Sequence, residues 1–479
     1  MPLVTARPVS MNNGDLVTEF VDTVGTNGTT WTYPASQNHV QVINEGTASV
    51  TVVVSGNTKL IPKGGSWNAG VTFTSITINS ESGVQKITVR SVRKKTNIVK
   101  TIGFPKIMSD PPTVTLGVNS EASTITNAVT VKSVDHQANN VINEVFVYEG
   151  DVAKAGEAYP DRDFVRNRAV TTTSSFGNLI VRFGYFGSKF EIYEKGQGGR
   201  VRILVDGEYI GKDAEVVQNS TGVYYRLIDF KSYGFREITI ELSGAYFGGL
   251  KIEPNATVTR PKSSKTRAIF FGDSITEAGS SGANISYGWP TIAARMLGWE
   301  CWNSGVGGTG YINPGAAGRV KFIDRVMHDV VMYSPDVVVS GGGFNDETNS
   351  KEAVYTAAKR YFTTLKQHLP TTEIIVVSPH SPTGIIPQIR KDIADKLRGV
   401  ALELKFPYID MVNGATYNKN GEIITPMSGG WITGTGHAGN IQTTGNASLF
   451  ISADGVHPTR EGHFYIGQRI ATEIYNLYK

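Results

Sequence analysis

The stretch Arg267-Ala268-Ile269-Phe270-Phe271-Gly272-Asp273-Ser274-Ile275-Thr276 decides how the rest of the chain is read. Its first half is an apolar run of strand length, and Gly272 marks a sharp bend where that run ends. Beyond the bend, Ser274 stands past the carboxyl end of a strand, the edge at which open α/β sheets receive ligands. A serine in that place also suits the N-cap of a helix, so these residues alone do not separate a capping role from a chemical one.

The pattern downstream supports the strand. From Ala268 to Lys479, strands are expected at 268–271, 300–303, 336–340, 373–378 and 407–410. Helices are expected between them, at about 289–298, 317–333, 351–368, 387–405 and 459–478. Val354, Ala357, Ala358, Tyr361, Phe362 and Leu365 recur at helical spacing and mark a buried helix face. Alternating strands and helices imply right-handed crossovers and a parallel sheet covered on both sides. Residues 266–479 are therefore expected to form an α/β domain.

Upstream the composition is different. Residues 1–110 are rich in Thr, Val, Ser, Asn and Gly, with strand-like runs at Ser49–Val54 and Thr72–Ile78. Turn signals at Gly25–Gly28 and Lys63–Gly65 divide them, so a small β domain for attachment or binding is expected. Residues 115–258 continue in strands at 179–183, 190–193, 201–205 and 237–242, and Asp206-Gly207 is a hairpin signal. Regular strand spacing predicts a β-sandwich or jelly roll. Pro261–Arg267 reads as an exposed linker.

The whole chain bounds these readings. At 479 residues it exceeds one core, and its length suggests about three domains. It is 40% hydrophobic and 18% charged, without an apolar run long enough for a membrane span. A net charge of +4 gives no case for nucleic acid, and one cysteine excludes an internal disulfide framework and a cysteine zinc cluster. Cys301 is expected to be a small core residue. The opening MPLVTARPVSMNNGD has no basic stretch followed by an apolar one, so no secretory signal is read.

Three more segments fall at the ends of later strands. Asn303-Ser304-Gly305-Val306-Gly307-Gly308-Thr309-Gly310 contains G-x-G-x-x-G, but Asn313-Pro314-Gly315 follows where a helix should begin, which argues against a dinucleotide site. The glycines instead leave backbone N–H groups approachable. Gly341-Gly342-Gly343-Phe344-Asn345-Asp346 offers the Asn345 amide after another strand. Asp454-Gly455-Val456-His457-Pro458 puts a carboxylate and an imidazole on one loop, the pair a serine nucleophile needs as orienter and base.

In order and spacing, these four segments resemble the blocks of the SGNH (GDSL-type) hydrolase family, with Ile275 where the name motif has leucine. The resemblance implies a flavodoxin-like three-layer domain with a parallel sheet. It also implies Ser274 as nucleophile, His457 as base and Asp454 as its partner. The oxyanion hole would comprise the Ser274 and Gly308 N–H groups and the Asn345 side chain. No cofactor and no metal are expected.

Other polar residues carry less. Asp273 is read mainly as scaffold and, with His380 and Trp431, as a weak substrate contact. Glu277, Asp346 and Glu347 are read as turn or helix-start acids, and His463 lacks the pairing of a zinc helix. The Gly- and Thr-rich segment 411–450, with Trp431 and His437, is read as a cleft wall. A β-sandwich before such a hydrolase resembles carbohydrate acetylesterases, so the expected reaction is O-deacetylation of a polysaccharide. A lipase or thioesterase of the same family, and a virion or cell-surface glycan-binding structural protein, are the alternatives. Expected partners are an acylated polysaccharide or small ester, neither nucleic acid nor membrane, with a homo-oligomer left open. Lack of a visible signal also fits a phage tail protein acting outside the cell on surface glycan; otherwise the setting would be cytoplasmic.

Overall fold

The computed structural model describes residues 7–10, 16–24, 29–37, 39–44, 48–54, 57–63, 66–69, 73–80, 85–93, 99, 102–117, 122–135, 141–167, 178–217, 222–261, 265–279 and 285–479. The turns read at 25–28 and 64–65, linker residues 262–264 and the opening through residue 6 lie outside the described residues. The chain divides into two compact units: Met1–Ile98 with Leu365–Thr372, and Val99–Thr364 with Glu373–Lys479.

The first unit is strand-rich and antiparallel. One of its sheets has the order Arg7–Ser10, Leu16–Val24, Gln85–Arg93, His39–Asn44, Ser66–Ala69. The other runs Thr29–Gln37, Phe73–Ser80, Val50–Val54, Asn57–Ile61. Val50, Val52, Ile76 and Ile78 are fully buried, as period-two alternation demands.

In the second unit, two very long strands, Asn178–Val205 and Val223–Ile252, lie at the centre of a 10-stranded sheet in the region expected to be a β-sandwich. Residues 178–187 pair with 234–243, which pair in turn with 200–205. Residues 189–195 lie between 223–229 and 246–252. Each strand therefore pairs along two separate stretches of its length, where the sequence suggested separate short strands. The expected hairpin is present: Asp206 and Gly207 adopt φ of 52° and 88°, and Val205 pairs with Glu208. Residues near 106–108 also belong with the sandwich, since Met108 N and Tyr209 N exchange hydrogen bonds with Tyr209 O and Lys106 O.

The α/β domain contains β1 (Arg267–Gly272), α1 (Ser274–Glu277), α2 (Trp289–Leu297), β2 (Glu300–Gly305), α3 (Phe322–Asp329), β3 (Val337–Gly341) and α4 (Lys351–His368). It continues with β4 (Glu373–Val377), α5 (Gln388–Leu404), β5 (Tyr408–Asp410), β6 (Ala415–Tyr417), β7 (Ile423–Thr425), α6 (Ala447–Phe450) and α7 (Arg460–Tyr478). The sheet order is β2-β1-β3-β4-β5-β6-β7, with parallel pairing from β2 to β5. Val337 to Val339 and Ile374 to Val377 are buried in unbroken runs, as parallel strands covered on both faces require. Adjacent residues on β1 show the two coverings: Phe270 meets Trp289 of α2, while Phe271 meets Phe322 of α3 and Tyr361 of α4.

Two expectations need correction. The sheet is mixed rather than parallel, because β6 and β7 are antiparallel additions. Asp410 accepts N–H groups from Val412 and Asn413 in a tight turn, so the chain folds straight back after β5 instead of crossing over. The helix expected at 317–333 starts later, at Phe322, and ends at Asp329 before a separate 3-10 turn, Val331–Tyr333.

A buried ionic seam joins the sandwich to this domain. Glu149 accepts from Arg295 at 3.1 Å and from the Cys301 N–H at 2.9 Å; Glu241 accepts from Arg295 Nε at 2.7 Å. Arg182 pairs with Glu149 and Glu300 at 3.4 Å each. Removing one member of a buried pair strands the other charge, at a cost of about 3–5 kcal/mol. Glu149→Ala is accordingly expected to lower the thermal unfolding midpoint by many degrees, as calorimetry would read; an unchanged midpoint would show that the seam contributes nothing. For the same reason, cutting the chain before residue 262 would leave Arg295 without both carboxylates.

Candidate active site

The carboxyl edge of the sheet gathers the four segments. Gly272 ends β1 where a Cβ would fall 2.2 Å from Thr276 Oγ1 and 2.7 Å from Gly341 O, so only glycine fits. The chain then turns into α1, whose N-cap is Asp273; the Asp273 carboxylate accepts from Ile275 N at 3.0 Å. Ser274 is the first helical residue. Its Oγ lies 2.9 Å from His457 Nε2, although 183 residues separate the two. His457 Nδ1 lies 2.7 Å from Asp454 Oδ2, completing a Ser–His–Asp relay.

Asp454 is held by its own loop. Its Oδ1 accepts from Ser452 Oγ at 2.7 Å and from the N–H groups of Val456 and His457 at 2.9 Å. Partial burial pushes this carboxyl up, but the bonds from Ser452, His457 and Val456 outweigh it and hold the group well below the usual carboxylate range. The arrangement is a negative charge fixed against one imidazole nitrogen while the other faces a hydroxyl, the geometry of general-base activation.

The second and third segments are tied together by a residue first read as a turn acid. Asp346 is fully buried, and its carboxylate accepts from the N–H groups of Tyr311, Ile312 and Asn313 at 2.8, 3.1 and 2.9 Å. A Cβ at Gly310 would lie 2.4 Å from that carboxylate, which accounts for this glycine. Asn345, beside it, donates from Nδ2 to Thr309 O at 2.9 Å, next to Gly308 at φ 73°. An amide carries two N–H bonds, so a second donor remains on Asn345. Asn303 donates to Thr276 O at 2.8 Å and steadies the α1 turn.

Three arginines and a glutamate were not singled out by sequence for the roles they fill. Arg325, buried over Phe271, donates to Gly272 O at 2.6 Å and to Ser304 O at 2.8 Å, clamping the ends of β1 and β2. Arg319 donates to Gly307 O. Glu347 pairs with Arg390 of α5 at 3.0 Å. Nothing in local spacing marks these contacts, because each partner is a main-chain oxygen or a side chain from a distant element.

Residues 270–464 match the GDSL-like lipase/acylhydrolase family. The C-terminal domain is a GDSL-like acylhydrolase domain, and the protein is an ester hydrolase. The chain shares its fold with a family two carbohydrate esterase from Cellvibrio japonicus, at 12% identity and TM-score 0.50, covering 74% of this chain and 98% of that one. A family two carbohydrate esterase from Clostridium thermocellum, solved with cellohexaose, matches at 17% identity and TM-score 0.47, covering 69% and 98%. An acetyl xylan esterase from Butyrivibrio proteoclasticus matches at 13% and 0.47, covering 73% and 98%. No curated protein matches the chain in sequence.

Around the acylhydrolase centre, the three weaker expectations for substrate contact are corrected. Asp273, His380 and Trp431 are only 4%, 5% and 3% exposed, which leaves no face open to a sugar. Asp273 is pushed up to about 6 by burial, with the Ile275 hydrogen bond opposing and the Asp346 charge adding. His380 borders a small cavity of about 20 Å3 and bonds the Val456 backbone, one residue from His457; burial, with Arg390 and His463 nearby, pushes it down to about 3. Trp431 packs under Arg469, whose guanidinium is 4.5 Å from its ring. His463 receives the Trp289 N–H at 3.4 Å in the interior. The segment 411–450 is an ordered addition: it contributes β6 and β7, and Ala438 N bonds Ile451 O close to the Asp454 loop.

Proposed function

We propose that this protein is a serine esterase that removes O-acyl groups, most simply O-acetyl, from a polysaccharide through an acyl-enzyme. The observation that carries the reading is the continuous Ser274–His457–Asp454 relay at the carboxyl edge of the acylhydrolase sheet. Ser274 Oγ attacks the acyl carbon while His457 Nε2 takes its proton. The ester C–O bond then breaks, and the sugar oxygen leaves with that proton. His457 next deprotonates a water that attacks the acyl-enzyme, releasing carboxylic acid and restoring Ser274. Asp454 holds the imidazole in the required tautomer and offsets its transient positive charge.

The negative oxygen formed in each step is received by the N–H groups of Ser274 and Gly308 and by the free N–H of Asn345. Asn345→Ala is expected to lower kcat by about 10²–10³ with little change in KM, since the bond matters in the transition state. Steady-state kinetics would expose the opposite case, an effect confined to KM.

The polysaccharide reading draws on the sandwich that precedes the hydrolase and is continuous with it through the buried seam. We further propose that the enzyme meets this polysaccharide at a cell surface, with residues 1–110 as the attachment module. The test is a series of p-nitrophenyl esters beside acetylated polysaccharides, with acetate release measured. Activity should fall steeply beyond acetyl and propionyl. Preference for acyl chains of eight or more carbons would instead mark a lipase.

A further inference from the structure

A second cavity, of about 500 Å3, lies at the junction of the sandwich and the α/β domain. Its walls come from both: Arg202 and Lys212 from the sandwich side, Tyr287 from the loop before α2, and Arg460 and Phe464 from α7. Phe104 closes one side, its ring 5.1 Å from that of Phe464 in an edge-on contact. The volume falls in the range of small-ligand sites, which favour such junctions.

The charges in this cavity are unusual. Arg202 is only 6% exposed, and its Nε and Nη1 have no hydrogen-bond partner. Among the described residues no carboxylate lies within ion-pair distance of it. Instead its guanidinium stacks 3.6 Å from the Tyr209 ring and 4.9 Å from the Tyr287 ring. Arg460 stacks on the same Tyr287 ring at 3.9 Å, so one aromatic ring serves two cations. Arg460 has a carboxylate partner, Asp213, at 2.6 Å, but among the described residues Arg202 has none. Lys212, exposed, adds a third positive charge, against one lining carboxylate, Glu461. A buried, partly unsatisfied guanidinium costs free energy that an incoming anion would recover.

We propose that this cavity binds a carboxylate-bearing sugar, a uronic acid unit of the polymer whose ester is cleaved at Ser274. Arg202 would supply the counter-charge for the carboxylate, Lys212 and Arg460 would add charge, and Glu461 would accept from sugar hydroxyls. Phe104, Tyr287 and Phe464 supply flat apolar faces suited to a pyranose ring. The cavity wall on α7 starts at Arg460, three residues after His457 in the chain. This assignment rests on the polysaccharide reading above and names the polymer as acidic.

The test is calorimetric titration of the full-length protein with a galacturonic acid trisaccharide, the galactose trisaccharide of the same linkage, and inorganic phosphate. The acidic trisaccharide is expected to bind about ten-fold or more tightly than the neutral one, and to weaken as salt is raised. Arg202→Gln and Lys212→Glu should each weaken the acidic trisaccharide several-fold while p-nitrophenyl acetate turnover stays unchanged. Because Arg202 is buried, its variant is checked by thermal midpoint, and the exposed Lys212 carries the test if Arg202→Gln fails to fold. Equal affinity for acidic and neutral sugars, or no loss in Lys212→Glu, overturns the proposal; phosphate binding as tightly as the acidic sugar reduces the cavity to a general anion site and overturns it too. Absence of acetate release from every acetylated polysaccharide, with acidic-sugar binding intact, would overturn the esterase substrate instead.

Discussion

Ser274→Ala is expected to lower kcat on p-nitrophenyl acetate by about six orders of magnitude while the thermal midpoint stays within a degree or two of the parent. The size of the loss follows from the relay. With the Oγ gone, His457 Nε2 has nothing to deprotonate at 2.9 Å, and no covalent intermediate can form. What remains is binding and oxyanion stabilisation of a water attack, which is small beside the full reaction. Stability should hold because the α1 turn is capped by Asp273 rather than by Ser274, and the substitution puts a good helix former at the first helical position. A variant retaining more than a tenth of the parent rate would remove Ser274 from the chemistry.

Asp454→Asn should cost about 10⁴ in kcat. The substitution keeps the size of the side chain but presents an amide to His457 Nδ1, inviting the wrong ring tautomer and leaving the protonated imidazole without its counter-charge. The carboxyl of Asp454 is depressed in the folded protein, so it stays ionised above the ordinary carboxylate range, and its contribution to stability is lost only as pH falls through strongly acid values. The rate deficit of Asp454→Asn should therefore be nearly constant from pH 6 to 9. A deficit that vanishes anywhere in that window would mean Asp454 acts by titrating and not by orienting.

Much of this site could be read from the chain because its parts are local: a strand, a bend and a serine in one segment, a carboxylate and an imidazole three residues apart in another. Parallel strands also announced themselves as unbroken apolar runs. What could not be read depends on distant encounters. Asp346 looks like any turn acid until residues 311–313 are folded over it, and Arg325 serves main-chain oxygens that no pattern displays. The antiparallel β6 and β7 were hidden in a Gly- and Thr-rich segment whose composition suggests a loop. His380 and Trp431 misled for the opposite reason: both are polar-tipped residues near the right edge, but burial, which spacing does not report, turned them inward.

The two long strands of the sandwich region have a mechanical meaning. Since 178–205 and 223–252 each pair along two stretches, neither stretch can peel away without drawing on the backbone of the other. A load on one stretch would pull against its other pairings as well. Through Glu149 and Glu241 that resistance is anchored on Arg295 of α2, so a load taken up there passes into the α/β domain.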